Sequence, residues 1–550
     1  MANEGPLSVA VICTGDAPPR WQVEALLAMA GVPGVRLSLI VFEAVDTRPE
    51  ARLMDRFRGP RWRRAFVDNW AFRGQRFPAV MPTPLPEELR NVPTLPSTGD
   101  DGLGTAGTLT DAQVEALKRA APDVLIHLGR SLLADLTPAH GIWSVEPSPA
   151  ADPAGLDELL TGRDQALLTF KRNGIDVLAE LCTRVTPHGI EVQADRMLAH
   201  LATWPAQGLA DLLNGRLVPV SAAKEVEVTE HKAPGNAAFL SFLMARLLPG
   251  TVQPARLNKD REWNIGILHQ PISSLLNAGG SLNVRWLPAP PEGCHRMEAF
   301  GYIDGEQRLN AVYLKVDERT GQRSISRLRP KGDNVLKRSR HLLELADGEG
   351  YPFILTAGSD VLMVLGSTSR GRTELYRLNG ESTGFDLHAE LLDEVLLSPT
   401  LFEHEGRWWL MGTTEALPDE ALRVFHGPSL TGPFLPHAND PVKMDLRSAR
   451  PAGTPFVWEG QLWRPALDGS DPVRPRVVLN HVDRLSPAEF RETPARHMPY
   501  FLGTTHAHGV RTVCAMGEVT LVDGLRISQT TAPRSKRSKK KGRSSRSGRS

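Results

Sequence analysis

Between residues 437 and 468 the chain sets out His437, Asn439, Arg447, Arg450, Arg464 and Asp468, a run of polar side chains with chemical capacity. A guanidinium offers a planar fork of N–H donors that grips phosphate or carboxylate through two parallel hydrogen bonds. Three such forks, an imidazole and an amide describe a lining for a phosphosugar or an anionic glycan. The plainer reading of Arg450 and Arg464 is that they pair with acids and tie neighbouring elements together. Asp468, in "RPALD", carries a carboxylate capable of acid–base work. Its plainer reading is an Asx residue that holds its own turn.

Two stretches nearer the start also carry reactive side chains: "LIHLGRS" with His127 and Arg130, and "HGIWSVEPSPA" with His140, Trp143 and Glu146. In open α/β sheets, sites lie beyond the carboxyl ends of strands. An Asn, a His and an Asp converging there can polarise a carbonyl and relay protons from an attacking amine. Here His140 precedes the strand and Glu146 lies within it, so ordinary loop and strand roles are the plainer reading. "HAH" puts His506 and His508 on one strand face, but no third ligand follows at a readable spacing, and no metal is expected. The chain has no P-loop, no Gly-x-Gly-x-x-Gly after a strand and no Gly-x-Ser-x-Gly elbow, so no cofactor is expected.

The elements that must position these groups fall into two regimes. Over the first third, strand-like and helix-like periods alternate: "LSVAVICTG", "RWQVEALLAMAG", "VRLSLIVFEA", then "LTDAQVEALKRAAPDVLIHLG". Thr110 is placed to cap a helix that Pro122 stops. Such alternation argues for an open parallel sheet covered on both faces. From about residue 260, short apolar runs flank Asp-Gly, Gly-Ser and Glu-Gly turns repeatedly, the signal of stacked antiparallel hairpins. A large all-β unit built by radial repetition suits that region. One of its hairpins, "LFEHEGRWWLMGTTE", sets Trp408 beside Trp409. Neighbouring strand side chains point to opposite faces, so one indole packs inward and the other meets a second layer or a ligand. Core packing for both is the plainer reading; a carbohydrate-stacking platform at Trp409 is the sharper one.

Composition bounds the class. Hydrophobic content of 41% and charge of 23% are those of a globular chain, and 550 residues imply more than one core. The net charge of +1 conceals an asymmetry, because "RSKRSKKKGRSSRSGRS" at the end holds nine Lys or Arg and no acid; removing those nine leaves −8. That tail is expected to be disordered and able to contact anionic lipid or nucleic acid through salt-sensitive contacts. Four scattered cysteines suit reduced thiols, and neither a signal peptide nor an apolar spanning stretch is read, so a cytoplasmic location is expected.

Two resemblances refine these readings. Residues 9–215 resemble a formyltransferase catalytic domain of the methionyl-tRNA formyltransferase kind, in the version fused to a sugar-associated propeller in certain bacterial proteins. The family strand reads roughly Gly-x-Trp-Ser-Phe-His-His-Gly-Asp. Here "GIWSVEPS" keeps Gly141, Trp143 and Ser144, while Val145, Glu146, Pro147 and Ser148 replace the rest; "KRNGIDVL" offers Asn173 or Asp176 for a later Asp. The stretches "EWNIGIL", "VRWLPAP", "YPFIL", "SPTLFEHEGRWWLMGTT", "TGPFLPHANDPV", "RSARPAGTPFVWEGQLWRPALDGS" and "VDRLSPAEFRE" together resemble the propeller of glucosamine inositolphosphorylceramide transferase-like proteins. That propeller is related to the five-bladed arabinanase, levansucrase and invertase domains. The resemblance implies a formyltransferase-like α/β domain over 1–225, a five-bladed β-propeller over 226–531 and a basic tail over 532–550.

It also implies where carboxylates should stand, and this chain departs there. Met297-Glu298-Ala299-Phe300 replaces an Ala-Asp-Pro-Phe pattern, and Ser398 takes an Asp position. Leu365-Gly366 replaces Pro-Glu, Leu467 replaces Gln, and Arg511 replaces His. Glycoside hydrolysis needs two carboxyl groups facing each other across the scissile bond. These losses argue against ordinary hydrolysis and ordinary formyl transfer. The expected function is therefore a catalytically degenerate protein of glycoconjugate or envelope metabolism, binding a sugar or phosphosugar beside an active partner enzyme. The alternative is an active sugar-modifying transferase, formyl or glycosyl, with altered catalytic residues. Glu298 and Asp468 are the catalytic candidates; His437, Asn439, Arg447, Arg450, Arg464 and Trp409 are the binding candidates.

Overall fold

The computed structural model describes residues 5–44, 78–97, 108–131, 136–148, 156–160, 163–185, 190–219, 240, 244, 261–277, 282–329 and 339–528. Both expected domain boundaries and the basic tail lie outside these residues.

The first unit is a sheet with helices. Its elements are β1 (Leu7–Thr14), α1 (Arg20–Ala30), β2 (Val35–Glu43), β3 (Thr94–Leu95), α2 (Asp111–Ala120), β4 (Val124–His127), β5 (Ile142–Glu146), α3 (Leu156–Leu160), β6 (Gln165–Arg172), β7 (Asp176–Arg184), α4 (Ile190–Leu201) and α5 (Trp204–Leu213). Thr110 caps α2 in a capping box with Gln113, so the local signal and the observed start of the helix agree. The strand order is β3-β2-β1-β4-β5-β6-β7. Neighbours from β3 to β5 are parallel, whereas β5–β6 and β6–β7 are antiparallel.

The sheet is thus mixed, which corrects the expectation of an all-parallel one. For the β6–β7 pair the reason is local: Asn173 and Gly174 both take positive φ, at 53° and 68°. They make a tight turn that returns β7 beside β6, while a parallel neighbour needs a crossover of about a dozen residues. Core packs on both faces, Val9, Val11, Trp21, Leu26 and Trp143 on one and Ala10, Ile12, Val41 and Leu125 on the other.

The second unit is a ring of five blades. In chain order its strands are β8 (Arg261–Leu268), β9 (Val284–Trp286), β10 (Cys294–Ile303), β11 (Leu309–Asp317), β12 (Gln322–Leu328), β13 (Arg340–Leu345), β14 (Phe353–Ala357), β15 (Asp360–Ser367), β16 (Arg372–Leu378), β17 (Phe385–Leu392), β18 (Leu397–His404), β19 (Arg407–Thr413), β20 (Ala421–Gly427), β21 (Leu435–Pro436), β22 (Lys443–Met444), β23 (Phe456–Trp458), β24 (Gln461–Asp468), β25 (Arg476–Leu485), β26 (Phe490–His497), β27 (Val513–Met516) and β28 (Val519–Ile527). Four blades are meanders in chain order, β10 to β13, β14 to β17, β18 to β21 with β22 beside β20, and β23 to β26. The fifth joins the two ends of the region: its order is β27-β28-β8-β9, so an early strand completes a late sheet. Closure of this kind ties the two ends of the region into one blade, and radial repetition leaves only short, protected edges. Hairpin turns such as Glu405-Gly406 and Glu459-Gly460, all at positive φ, recur at one end of the blades.

The units are joined by polar contacts along β7. Glu420, between β19 and β20, accepts from Thr183 Oγ1 at 2.6 Å and from Arg184 N at 3.0 Å. Glu180 accepts from Arg447 Nη2 at 2.8 Å, and Leu446 N donates to Cys182 O at 2.7 Å. Asp211 of α5 takes Arg484 and Arg491 of the fourth blade at 2.7 and 2.5 Å.

Candidate functional site

Three inner strands of the propeller carry the same local device, within β10, just before β14 and near the start of β18. Glu298, Tyr351 and Ser398 all lie in the left-handed region, at φ 52°, 59° and 52°. In β10 and β18 the ladder register slips across this point, between Met297 and Phe300 and between Leu397 and Thr400, marking a bulge. The three stretches read Glu298-Ala299-Phe300, Tyr351-Pro352-Phe353 and Ser398-Pro399-Thr400. Left-handed backbone at a residue with a side chain costs of order 1–3 kcal/mol, and such strain collects at functional sites. All three side chains come together in the lining of one cleft.

The five blades meet there at a small, open cleft lined by Glu298, Tyr351, Ser398, Arg450, Pro451, Leu467, Arg511 and Thr512. Glu298 Oε2 accepts from Tyr351 N at 2.7 Å, and Oε1 lies 3.5 Å from Arg511 Nη2. A Cβ at Gly350 would sit 2.6 Å from Glu298 Oε2, so glycine is needed for the carboxylate to reach that N–H. Arg450 donates from Nε to Ser398 Oγ at 2.8 Å and from Nη1 to Asp419 Oδ1 at 3.0 Å. Arg511 also lies over the Trp263 ring, 5.9 Å from its centroid. Tyr351 is buried, with its hydroxyl 3.2 Å from Thr400 Oγ1; burial pushes its pKa far up, so it stays a neutral phenol. Thr512 Oγ1 is buried without a hydrogen-bond partner among the described residues.

Of the side chains lining this cavity, Glu298 alone is a carboxylate and Arg450 and Arg511 are the cations. An acid–base pair of carboxylates across a glycosidic bond is therefore not assembled by these residues. Two guanidiniums, a carboxylate, two hydroxyls and a phenol ring can bind an anion and sugar hydroxyls.

The candidates read from sequence divide sharply. Glu298 and Arg450 come together at the mouth, in register with Ser398 and beside Arg511. Asp468 ends β24 next to Leu467 but turns away. Its carboxylate accepts from Ser470 N at 3.0 Å and Ser470 Oγ at 2.5 Å and pairs with His497 Nε2 at 2.8 Å. Burial acts to raise its pKa, but these partners outweigh burial and hold it low, so the residue stays charged.

Arg464 is 1% exposed and grips both oxygens of Glu492, at 2.7 and 2.5 Å. Arg447 spans Asp445 and Glu180 at the junction between units. His437 is buried; its Nδ1 accepts from Asn439 N at 3.0 Å, and Asn439 Nδ2 donates to Ala488 O at 3.2 Å, a link between the third and fourth blades. Trp409 is 2% exposed and packs with Met411, Leu422, Val424 and Ala449, whereas Trp408 packs partly buried against the other face. Arg464, Arg447, His437, Asn439 and Trp409 do not line the mouth: strand alternation turns Arg464 and Trp409 into the seams between blades, while Arg447, His437 and the exposed Asn439 lie in connections and are spent on local contacts.

In the first unit, Asn173 Oδ1 accepts from Ile142 N, Glu146 pairs with Lys171 at 2.7 Å and Asp176 with Arg172 at 2.5 Å, each close in the sheet. His127 Nε2 lies 3.1 Å from Ser131 Oγ. In the fifth blade, His506 pairs with Glu262 at 3.1 Å, not with His508. Tyr351, Thr512 and the buried Asp523 behind the mouth were not singled out by sequence. The recurrent small-or-proline step before an inner strand was the signal that marks Tyr351.

The chain resembles known proteins over part of its length. A family model described as "Glucosamine inositolphosphorylceramide transferase 1, N-terminal" matches residues 342–504, which hold the second to fourth blades. Glucosamine inositolphosphorylceramide transferase 1 of Arabidopsis thaliana is 28% identical over 196 residues, 32% of this chain and 25% of the relative. The protein of the same name from Oryza sativa subsp. japonica is 28% identical over 150 residues, 26% and 20%. The chain thus spans a quarter or less of these relatives. Among solved structures, an exo-β-1,3-galactanase of Phanerochaete chrysosporium shares 12% identity, covering 39% of this chain and 54% of that one, with TM-score 0.30. A GH43_1 enzyme of Xanthomonas citri shares 9%, covering 39% and 78%, with TM-score 0.31. What the comparisons establish is that blades two to four are similar in sequence to the N-terminal part of glucosamine inositolphosphorylceramide transferase 1.

Proposed function

We propose that this protein binds a sugar or phosphosugar at the mouth of its propeller and serves glycoconjugate or envelope metabolism by recognition, not by glycoside cleavage. The observation that carries the reading is the make-up of the mouth: one carboxylate and two guanidiniums in its lining. Arg450 and Arg511 hold the oxygens of an anionic group, while Glu298 and Ser398 meet hydroxyls. The similarity of blades two to four to a protein named as a glucosamine inositolphosphorylceramide transferase supports a sugar-related ligand. In the same reading the first unit is a formyltransferase-like domain without its proton relay, the protein is cytoplasmic, and the basic tail holds it to an anionic surface.

The test is thermal unfolding and calorimetric titration with glucose 1-phosphate, nucleotide sugars and the neutral sugars. A ligand that binds only the native state raises the melting temperature by mass action. A phosphorylated sugar is expected to raise it, with affinity lost by about tenfold or more in Arg450→Ala and in Arg511→Ala, as for removal of a charged hydrogen-bond donor. No response to any phosphorylated sugar, or responses that both variants keep, would sink the reading.

A second reading, an active transferase with altered residues, is favoured by one observation: Glu298 is a carboxylate held in strained backbone at the cavity. It requires turnover of a sugar donor by the wild type that Glu298→Gln abolishes.

A further inference from the structure

Behind the mouth lies a carboxylate that no ligand would touch. Asp523, in the middle of β28, is 0% exposed. Its Oδ2 accepts from Glu298 N at 2.8 Å, and its Oδ1 accepts from Arg511 N at 2.7 Å and Thr512 N at 2.9 Å. The first of these amides belongs to the first blade and the other two lead into the inner strand of the fifth. β28 is also the strand that pairs with β8 to close the ring.

A buried charge is costly unless compensated, and here three backbone N–H groups supply the compensation. Burial still pushes the pKa of Asp523 up, against the pull of those three donors. A neutral, apolar residue would be cheaper to bury at this point, but it would leave all three amides without an acceptor. Glu298 needs such an anchor, because its left-handed backbone at a bulge is not held by the ladder, which resumes only at Phe300.

We infer that Asp523 is a positioning residue for the mouth: its carboxylate pins the backbone of Glu298 against that of Arg511 and Thr512. It thereby sets the separation of the acid and the guanidinium that a ligand meets across the seam of the ring. The inference rests on the reading of the mouth as a binding site, but its mechanical part is separately measurable.

Amide hydrogen exchange of the full chain, with glucose 1-phosphate titration alongside, tests it. In Asp523→Asn the amide group can still accept through one oxygen but presents N–H on the other side. If its oxygen faces Arg511 and Thr512, exchange at Glu298 should rise by about tenfold or more while those two change less. In Asp523→Ala all three should rise. Amides of the third blade, such as Leu410, should stay within about twofold. Affinity for glucose 1-phosphate should fall by about tenfold in Asp523→Asn.

Unchanged exchange at all three amides overturns the inference. So does a uniform rise across the propeller, which would make Asp523 a general stabilising residue. Faster exchange at Glu298 with undiminished affinity overturns it as well. A wild type that ignores glucose 1-phosphate and every other phosphorylated sugar removes the proposed function, yet leaves the three amides to decide the positioning.

Discussion

Arg450 and Arg464 stand on the same blade with the same head group, and their surroundings give them opposite roles. Arg450 is held from one side, by Ser398 and Asp419, and lines the open cavity. Arg464 spends its donors inward: Nε and Nη2 take Glu492, while Nη1 and Nη2 reach the carbonyls of Ala449 and Ser448, just before Arg450. Lys443 meets the same Glu492 at 2.9 Å. Burial acts to raise the pKa of Glu492, but Arg464 and Lys443 outweigh it and hold it below the usual glutamate range.

The sign of the resulting pH dependence follows. This carboxylate contributes stability that is fully present above about pH 4.3, the ordinary glutamate value, and is lost as pH falls through the lowered folded value. Arg464→Met is expected to cost about 3–5 kcal/mol, because it strips a buried charge of its main partner. Urea unfolding reads the loss, and Arg464→Met combined with Glu492→Leu should recover much of it. A single variant as stable as the wild type would show the pair to be dispensable.

At the scale of the element, β19 explains the paired tryptophans. It is a middle strand of the third blade, so its two faces meet different neighbours. Trp409 enters the seam toward the fourth blade, with Phe402, Leu485 and Phe490 around the cluster, and Trp408 lies on the seam with the main propeller core. Trp409→Ala should destabilise by about 3–5 kcal/mol, the range for truncating a large buried aromatic. Trp408→Ala should cost less, since that ring is only partly buried. Equal losses in chemical denaturation would contradict this assignment, and so would a loss of sugar affinity in Trp409→Ala without a loss of stability.

Blade packing also gives a physical account of one missing acid. At Gly366 an added Cβ would lie 2.0 Å from Leu396 O, so this backbone approach leaves no room for the Glu of the family pattern.

For the whole molecule the decisive feature is that one strand of the first unit grips the segment that leads into Arg450 and the segment that carries its partner Asp419. β7 holds Glu420, the neighbour of Asp419, and Arg447 on the approach to Arg450. Burial pushes the pKa of Glu420 up, despite the hydrogen bonds from Thr183 and Arg184. The folded state therefore binds this proton more readily than the unfolded chain. As pH falls from neutral through the raised value toward about 4.3, this group adds stability, opposite in sign to Glu492. Glu420→Ala removes two hydrogen bonds to a charged acceptor and should cost about 1–3 kcal/mol at neutral pH. The difference in melting temperature between wild type and Glu420→Ala should widen on going from pH 7 to pH 5. A constant difference would mean that Glu420 does not titrate in this range.

The sequence by itself determined what depends on neighbours along the chain. The Thr110 cap, the apolar strands of the first sheet, the hairpins of the propeller and the charge of the tail are all local signals, read from residue type and spacing. It also put Glu298 and Arg450 among the candidates. Asn173-Gly174 is a legible hairpin signal, although the resemblance offers Asn173 for a catalytic position, and the antiparallel pairing of β6 with β7 follows from it.

Tertiary structure alone decided which polar groups face the cavity and which are spent inside. Glu298 and Asp523 are separated by 225 positions, and Arg450 and Ser398 by 52. Ring closure brings the first pair within hydrogen-bond reach, and the packing of consecutive blades the second. Side-chain direction in a blade depends on a two-residue period that every bulge resets, so a single inserted residue at an inner strand turns a core position into a site position.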